Sequence, residues 1–415
     1  MFLDSLLYDA CSENTKSLNE IAINADKKYN VSISKQGIAK RYTPAAIKYI
    51  QAIIGQVLSH QINRSIDLGW FKLFKRVPIK DSTKFDVSEN LEGQLPGFGG
   101  SASKAGVGIQ YEFDIKSGEV TDLNITPANR PDSKDATQTK DKVREGDLLI
   151  RDLGYSVLSV FSSIVQNKAY FISRLNYNIA VYEEKGGKLV GLDFDKLYKT
   201  MAKGKIQRVD KQVSIGKKDK LPVRLIIELM PEEVVEKRMR KVNKYNKKKG
   251  FRTSDEYSSR ARFNLFITNI PETTMEAGVV VQIYKIRWQV ELIFKAWKSI
   301  FGIDNVNHMK YERFMCLLNV RLLLIVINWG IFIHKRSQVY TKTKKLLSIT
   351  KCFKTFQEHN KELRDILTNN CKGLVKWIGM ITKLFESHHL LEKKKNKVGL
   401  AEIMMLKHLK TEYYD

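Results

Sequence analysis

Cysteine is scarce in this 415-residue chain. Cys11, Cys316, Cys352 and Cys371 are scattered, with no CxxC pair and no histidine at zinc spacing. That pattern argues against a disulfide framework and a structural zinc site, and it suits a reducing compartment. Acidic side chains are in deficit: 45 Asp and Glu stand against 71 Lys and Arg, a net charge of +26. An excess of that size points to a polyanionic partner, either nucleic acid or an acidic membrane surface. No secretory signal is expected, because the apolar stretch from Met1 to Tyr8 lacks a basic start and contains Asp4. Internal repeats are absent. One apolar run, Phe314 to Ile333, approaches the length of a bilayer span. Asn319, Arg321 and Asn328 interrupt it. A central arginine costs about 2.5–3.5 kcal/mol on insertion scales, so a buried helix and no membrane are expected. With 43% hydrophobic residues the chain can bury a large core, which excludes disorder throughout. Its length suits about two or three domains.

Residues 1 to about 65 have a helical pattern. Leu18, Ile21 and Ile23 lead to a break at Asn30-Val31-Ser32, and a second short helix follows around Ser34 to Tyr42. Another helix starts at Thr43-Pro44, with Thr43 as cap and proline just inside. Two short helices about a tight turn are similar to a helix-turn-helix, and the second presents Lys35, Lys40 and Arg41 for groove and phosphate contacts. A small helical bundle with a solvated basic face has the same pattern.

Strands are expected next, at Arg76–Asp81, Val107–Ile115, Val120–Thr126, Asp147–Ile150 and Ala169–Ser173. Helices fall at Asp132–Arg144 and Val157–Gln166. This order suits a mixed sheet flanked by helices, an α/β (α+β) fold. Residues 176–262 are basic and richer in strands, at Ile179–Glu183, Lys188–Leu192, Gln207–Ile215 and Val223–Met230. The basic run Glu232–Lys249 has the pattern of a solvated helix face or a loop that tracks phosphates. A strand at Phe263–Thr268, one long helix over Thr274–Phe301 and an all-helical region from 305 to 415 complete the chain.

The chemistry concentrates on that long helix. At about 100° per residue, Tyr284, Arg287, Glu291 and Lys298 share an arc of roughly 60°. Ile283, Ile286, Val290, Ile293, Phe294 and Trp297 make the helix apolar on most other sides. Charged groups on such a helix need partners or ligands. An Arg287–Glu291 ion pair is the plain alternative. Asp81 and Asp152 each close an expected strand. If those strands are neighbours, the two carboxylates and Glu291 make three oxygen ligands for hard divalent cations. Taken singly, each aspartate also suits a strand-end turn or cap.

The spacing Y-x2-R-x3-E-x6-K, here Tyr284, Arg287, Glu291 and Lys298, resembles the signature of bacterial insertion-sequence transposases of the DDE type, insertion-sequence family four. Ile79-Lys80-Asp81-Ser82-Thr83 resembles the first-aspartate block. Ile150-Arg151-Asp152-Leu153-Gly154-Tyr155, followed by Ala169 to Leu175, resembles the second. Phe266 to Pro271, leading into the signature, resembles the third. The resemblance covers roughly residues 20 to 335.

It implies a ribonuclease-H-like mixed sheet with flanking helices, interrupted by a β-rich insertion domain, plus helical N- and C-terminal regions. The implied division is 1–65, a DNA-binding region; 66–175, the first part of the catalytic domain; 176–262, the insertion; 263–304, the second catalytic part; and 305–415, the helical C-terminal region. It implies metal-dependent cleavage of double-stranded DNA at the terminal inverted repeats of a mobile element, then joining of the freed 3′ hydroxyl to target DNA. A nuclease of the same fold that does not join strands is the competing expectation. Asp81, Asp152 and Glu291 would be catalytic and hold two Mg2+ ions, with Mn2+ able to substitute. Tyr284, Arg287 and Lys298 would contact phosphates. Some members place a stacking tryptophan in the strand before the signature, and Phe263 is its counterpart here. The expected partner besides DNA is a second copy of the chain, and the expected location is the bacterial cytoplasm, at the nucleoid.

Overall fold

The computed structural model describes residues 1–12, 14–61, 69–100 and 102–392. Residues 62–65 and 393–415 of the expected terminal regions lie outside the described residues. The chain forms two compact units. One draws on residues 1–61, 81–130 and 288–392, the other on 69–80 and 131–287.

The first unit opens with four helices, α1 (Phe2–Ala10), α2 (Leu18–Tyr29), α3 (Lys35–Ala39) and α4 (Pro44–Ser59). Their ends are written locally. Ser17 and Glu20 form a reciprocal capping box on α2, which ends where Asn30 turns left-handed with φ 52°. The Ser34 hydroxyl accepts from Gly37 N–H to start α3. Thr43 caps α4 with Pro44 at its first position, as the sequence predicts. Ile21, Ala22 and Ile38 form a small core under Ile33 and Tyr42, holding α3 against α2.

Strand β1 (Pro78–Asp86) is longer than expected. It does not stop at Asp81, because Thr83 and Phe85 continue the alternation of buried positions. Residues 81–86 belong to the first unit, where the strand order is β3-β2-β1 with β2 (Gly106–Asp114) and β3 (Val120–Pro127) antiparallel. All nine residues of β2 are buried. The turn after it is set by Asp114, whose carboxylate accepts from Lys116 N–H, Ser117 N–H and the Ser117 hydroxyl. Gly118 follows at φ 80°, with Ile333 side-chain atoms within 2.6 Å of where a Cβ would stand. Only glycine satisfies both the backbone and that contact.

In the second unit the chain passes through α5 (Asp132–Gln138), β4 (Leu148–Arg151), α6 (Leu158–Gln166) and β5 (Tyr170–Arg174). It continues through β6 (Val181–Lys185), β7 (Lys188–Gly191), α7 (Phe194–Lys203), β8 (Arg208–Ile215) and β9 (Leu221–Leu229). Then come α8 (Glu232–Lys249), α9 (Asp255–Arg260), β10 (Phe263–Thr268) and α10 (Ala277–Tyr284). Counting from the shared strand, the order is β1-β4-β5-β10-β9-β8-β6-β7. The pairs β1–β4 and β4–β5 are parallel, and β10 is antiparallel to both β5 and β9. The strands of the basic segment therefore extend the sheet. These strands and α7 share its core, where Phe194 and Met201 of α7 and Leu225 and Ile227 of β9 pack with Leu149, Phe171 and Ile267.

The remaining helices return to the first unit as α11 (Trp288–Ser299), α12 (Tyr311–Thr343), α13 (Ile349–Glu358), α14 (Asn360–Thr368) and α15 (Leu374–His388). By length and composition α12 is apolar enough to cross a membrane, with mean hydropathy 2.1, yet 83% of that window is buried within the protein. It packs against α1, α4, α13 and α15. Three of its buried polar side chains bond to backbone carbonyls of the same unit. Arg321 donates to the carbonyls of Gly302 and Asn305. Arg336 donates to those of Ile115 and Lys116, and Trp329 Nε1 donates to Gly118. Burial pulls the Arg336 guanidinium down to about 10.

Candidate active site

Strands β1 and β4 pair in register at Ile79↔Ile150 and Lys80↔Arg151. The next residue along each chain is an aspartate, Asp81 and Asp152. Ile79 and Ile150 are fully buried. Lys80 points to the opposite face, into a buried ion pair with Asp135 of α5 at 2.5 Å, and its ammonium also reaches the Thr139 hydroxyl. By the two-residue period of a strand, Asp81 shares the face of Ile79. Asp152 keeps extended backbone, φ −78° and ψ 171°, at the entry to a short 3-10 turn, so it shares the face of Ile150.

The carboxylate of Asp152 is half-exposed and already engaged. It accepts from the Tyr284 hydroxyl at 3.2 Å and faces Arg287 Nε at 3.8 Å. Tyr284 is buried edge-on against Phe266 of β10, with ring centroids 5.3 Å apart. Burial first, and then the adjacent Asp152 carboxylate, push its hydroxyl well above the ordinary range. Tyr284 therefore stays protonated and acts as a donor. Arg287 lies 6.0 Å over the Tyr284 ring. Arg174, at the end of β5, lies 6.0 Å over the Phe266 ring and acts electrostatically on Tyr284. Arg174 was not singled out from the sequence, although it stands inside the second-aspartate block, because a cation at a strand end carries no local signal of what it faces.

The single long helix expected over Thr274–Phe301 is two helices. Residues 285–287 form a 3-10 turn between α10 and α11. The junction has neither glycine nor proline. Winding at three residues per turn stacks Tyr284 directly above Arg287, which lets both reach Asp152. The even 100° arc therefore does not describe this signature; a local tightening does.

In the first unit, α11 buries Val290, Ile293, Phe294 and Trp297, with Trp297 against Tyr111 of β2 at 4.8 Å. That leaves Glu291 and Lys298 partly exposed on the same helix. Lys298 Nζ donates to the Lys84 carbonyl of β1 at 2.8 Å and lies 5.9 Å over the Phe85 ring. Asp81 accepts from Ser82 N–H at 2.8 Å. Lys35, Lys40 and Arg41 are all exposed around α3.

Phe263 is a correction. It is only 2% exposed, packed with Phe194 at 6.0 Å and Tyr198 at 6.4 Å of α7. A ring enclosed on that side has no face to offer an extruded base, and it serves the core of the second unit.

Among the described residues, no group of three or more His, Cys, Asp or Glu stands ready to hold a metal ion. Asp81 and Glu291 lie in the first unit and Asp152 in the second. The donor chemistry itself, carboxylate oxygens alone, suits a hard divalent cation.

Residues 72–329 match the family described as Transposase DDE domain. The chain belongs to that family. It is 30% identical over 380 residues to the transposase for insertion sequence element IS231B of Bacillus thuringiensis subsp. berliner, covering 88% of this chain and 78% of that one. It is 28% identical over 355 residues to the transposase for IS1151 of Clostridium perfringens, covering 82% and 75%. It is 28% identical over 254 residues to the putative transposase InsL for IS186A of Escherichia coli strain K12, covering 57% and 61%. As a bacterial insertion-sequence DDE transposase, the chain is a metal-dependent enzyme that cuts DNA and transfers strands in transposition. Its mixed α/β sheet has the ribonuclease-H-like fold of that family.

Proposed function

We propose that this transposase moves its element by cut-and-paste. It binds the terminal inverted repeats as a homodimer, cleaves at the element ends, and joins the freed 3′ hydroxyl to target DNA. Residues 1–65, 66–175 with 263–304, 176–262 and 305–415 would serve end binding, catalysis, the insertion and the helical C-terminal region. The work would be done in the cytoplasm, at the nucleoid. The observation that carries this reading is the β1–β4 register, which puts an aspartate next after the last paired residue of each strand, with Tyr284 and Arg287 converging on one of them.

Asp81, Asp152 and Glu291 are the proposed ligands of two Mg2+ ions, with Mn2+ able to replace them. Bound divalent ions supply Lewis-acid stabilisation to the phosphate under attack. The protein supplies position. In cleavage, water attacks phosphorus, the bond to the 3′ oxygen breaks, and that oxygen leaves as a hydroxyl. In joining, the hydroxyl oxygen attacks a target phosphodiester, a new P–O bond forms, and the displaced target oxygen takes the proton. Tyr284, held protonated, donates to an anionic oxygen. Arg287 offers its planar fork to a phosphate. Lys298, fixed to the Lys84 carbonyl through one of three donors, keeps two for the next phosphate. Lys35, Lys40 and Arg41 meet the element end.

The test supplies purified protein, Mg2+, a labelled element end with a free 3′ hydroxyl, and a target plasmid. Joined product is expected. Hydrolysis of the ends with no joined product would replace this reading by that of a nuclease of the same fold.

A further inference from the structure

We propose that helix α8 is a second, sequence-independent grip on duplex DNA, taking the phosphates of one strand along a single face. From Lys237 to Lys249 there are eight cations and no acid. Lys237, Arg240, Lys241, Lys244, Lys247 and Lys248 fall within an arc of about 120°. All six are exposed. Arg240 pairs with Glu236 at 2.9 Å. The five lysines have no ion-pair partner among the described residues. Lys237 and Lys241, Arg240 and Lys244, and Lys244 and Lys248 stand four apart, where like charges each destabilise a helix by a few tenths of a kcal/mol. A polyanion laid along this face removes that repulsion.

The rest of α8 is built to hold the face in place. No residue of the helix is fully buried. Arg238, on the other side, donates to the carbonyls of Ala261 and Phe263 and to Asn264 of β10. The end is fixed by Gly250 at φ 73°, and by Asn246 and Asn243 bonded to Thr253. A helix so anchored presents a rigid row of charge. From Lys237 to Lys248 the row is about 16 Å long, enough for about three successive phosphates of one strand. Five of its six cations are lysines, compact charges that suit phosphates and lack the bidentate fork that reads base edges. A membrane surface is a poorer match, because an interfacial helix needs a broad apolar face opposite its charges. Here Val235, Met239 and Val242 on that side are partly covered by the protein.

The inference deepens the DNA reading and is tested apart from catalysis. Binding of the full chain to a duplex unrelated to any element end is measured by fluorescence anisotropy across a salt series. The variant Lys237→Gln/Lys241→Gln/Lys244→Gln/Lys248→Gln should lower the slope of log K against log salt by about three. It should weaken binding at about 0.1 M salt at least tenfold, equally on unrelated and element-end DNA. All four side chains are exposed and the changes only remove like-charge repulsion, so the melting temperature should not fall. Four Lys→Gln changes at Lys361, Lys372, Lys376 and Lys383, exposed in the first unit, should leave the slope within about one. An unchanged slope in the α8 variant, or an equal drop in the control set, would overturn the proposal. So would α8-dependent capture by phosphatidylserine vesicles. Failure of the strand-joining reading would appear separately, as lost chemistry with this salt behaviour intact.

Discussion

Asp152→Asn should reduce end cleavage by at least about a thousandfold, ~4 kcal/mol of transition-state stabilisation, while DNA affinity stays within about threefold. The substitution separates charge from shape. Asparagine keeps an oxygen that accepts from Tyr284, and its size preserves the turn at the end of β4. What it removes is the negative charge that a divalent cation requires and that Arg287 faces at 3.8 Å. The side chain is half-exposed, so folding should be unaffected and the melting temperature unchanged. A labelled element end followed on a sequencing gel, beside an anisotropy titration of the same DNA, measures both quantities. Cleavage within tenfold of the parent would remove Asp152 from the metal site.

Arg224→Ala should cost about 3 kcal/mol of stability, the low end of the range for breaking a buried ion pair, because Asp210 is partly exposed. Arg224 sits on β9, 2% exposed, and carries two jobs at once. Its Nε lies 2.9 Å from both carboxylate oxygens of Asp210 on β8, and Nη2 reaches one of them at 2.5 Å. Nη1 donates to the carbonyls of Ile270 at 3.3 Å and Met275 at 2.6 Å. Those carbonyls flank the segment that leads into α10 and Tyr284. Alanine leaves two buried carbonyls without that donor, where an unmade hydrogen bond is costly, and a partly exposed aspartate without its partner. Lysine keeps the charge and loses the fork, and should recover less than half of the loss. Urea titration followed by far-UV circular dichroism measures it. A loss below about 1 kcal/mol would show that Arg224 holds nothing essential.

The sequence disclosed what local rules control. Thr43 announced its helix because a cap is a contact between residues three apart; Ser17 and Ser34 cap theirs by the same local rule. The strands of the basic segment were legible from alternation. That they extend the same sheet was not, because the pairing of β9 with β10 joins residues that are far apart along the chain. The length of β1 is not legible locally, since an acid followed by serine and threonine resembles a strand end, and only the burial of Phe85 carries the strand on to Asp86. The break before α11 carries no glycine or proline; it goes with two side chains meeting a carboxylate well over a hundred residues earlier in the chain. Phe263 shows the converse. A motif position suggested a stacking ring, and the core of the second unit claimed it. Asp81 and Asp152 were visible as expected strand ends and Glu291 as part of a helical spacing; a shared cation site followed only if the strands were neighbours, and the DNA chemistry came from the resemblance.

The account rests on those three acids holding metal together on DNA. Electron paramagnetic resonance of Mn2+ titrated into the complex with an element end counts the ions held. A pair of bound ions is predicted for the parent protein. Asp81→Asn, Asp152→Asn and Glu291→Gln should each lower the count or the affinity at least tenfold with DNA still bound. An unchanged count and affinity in any one of the three would contradict the account.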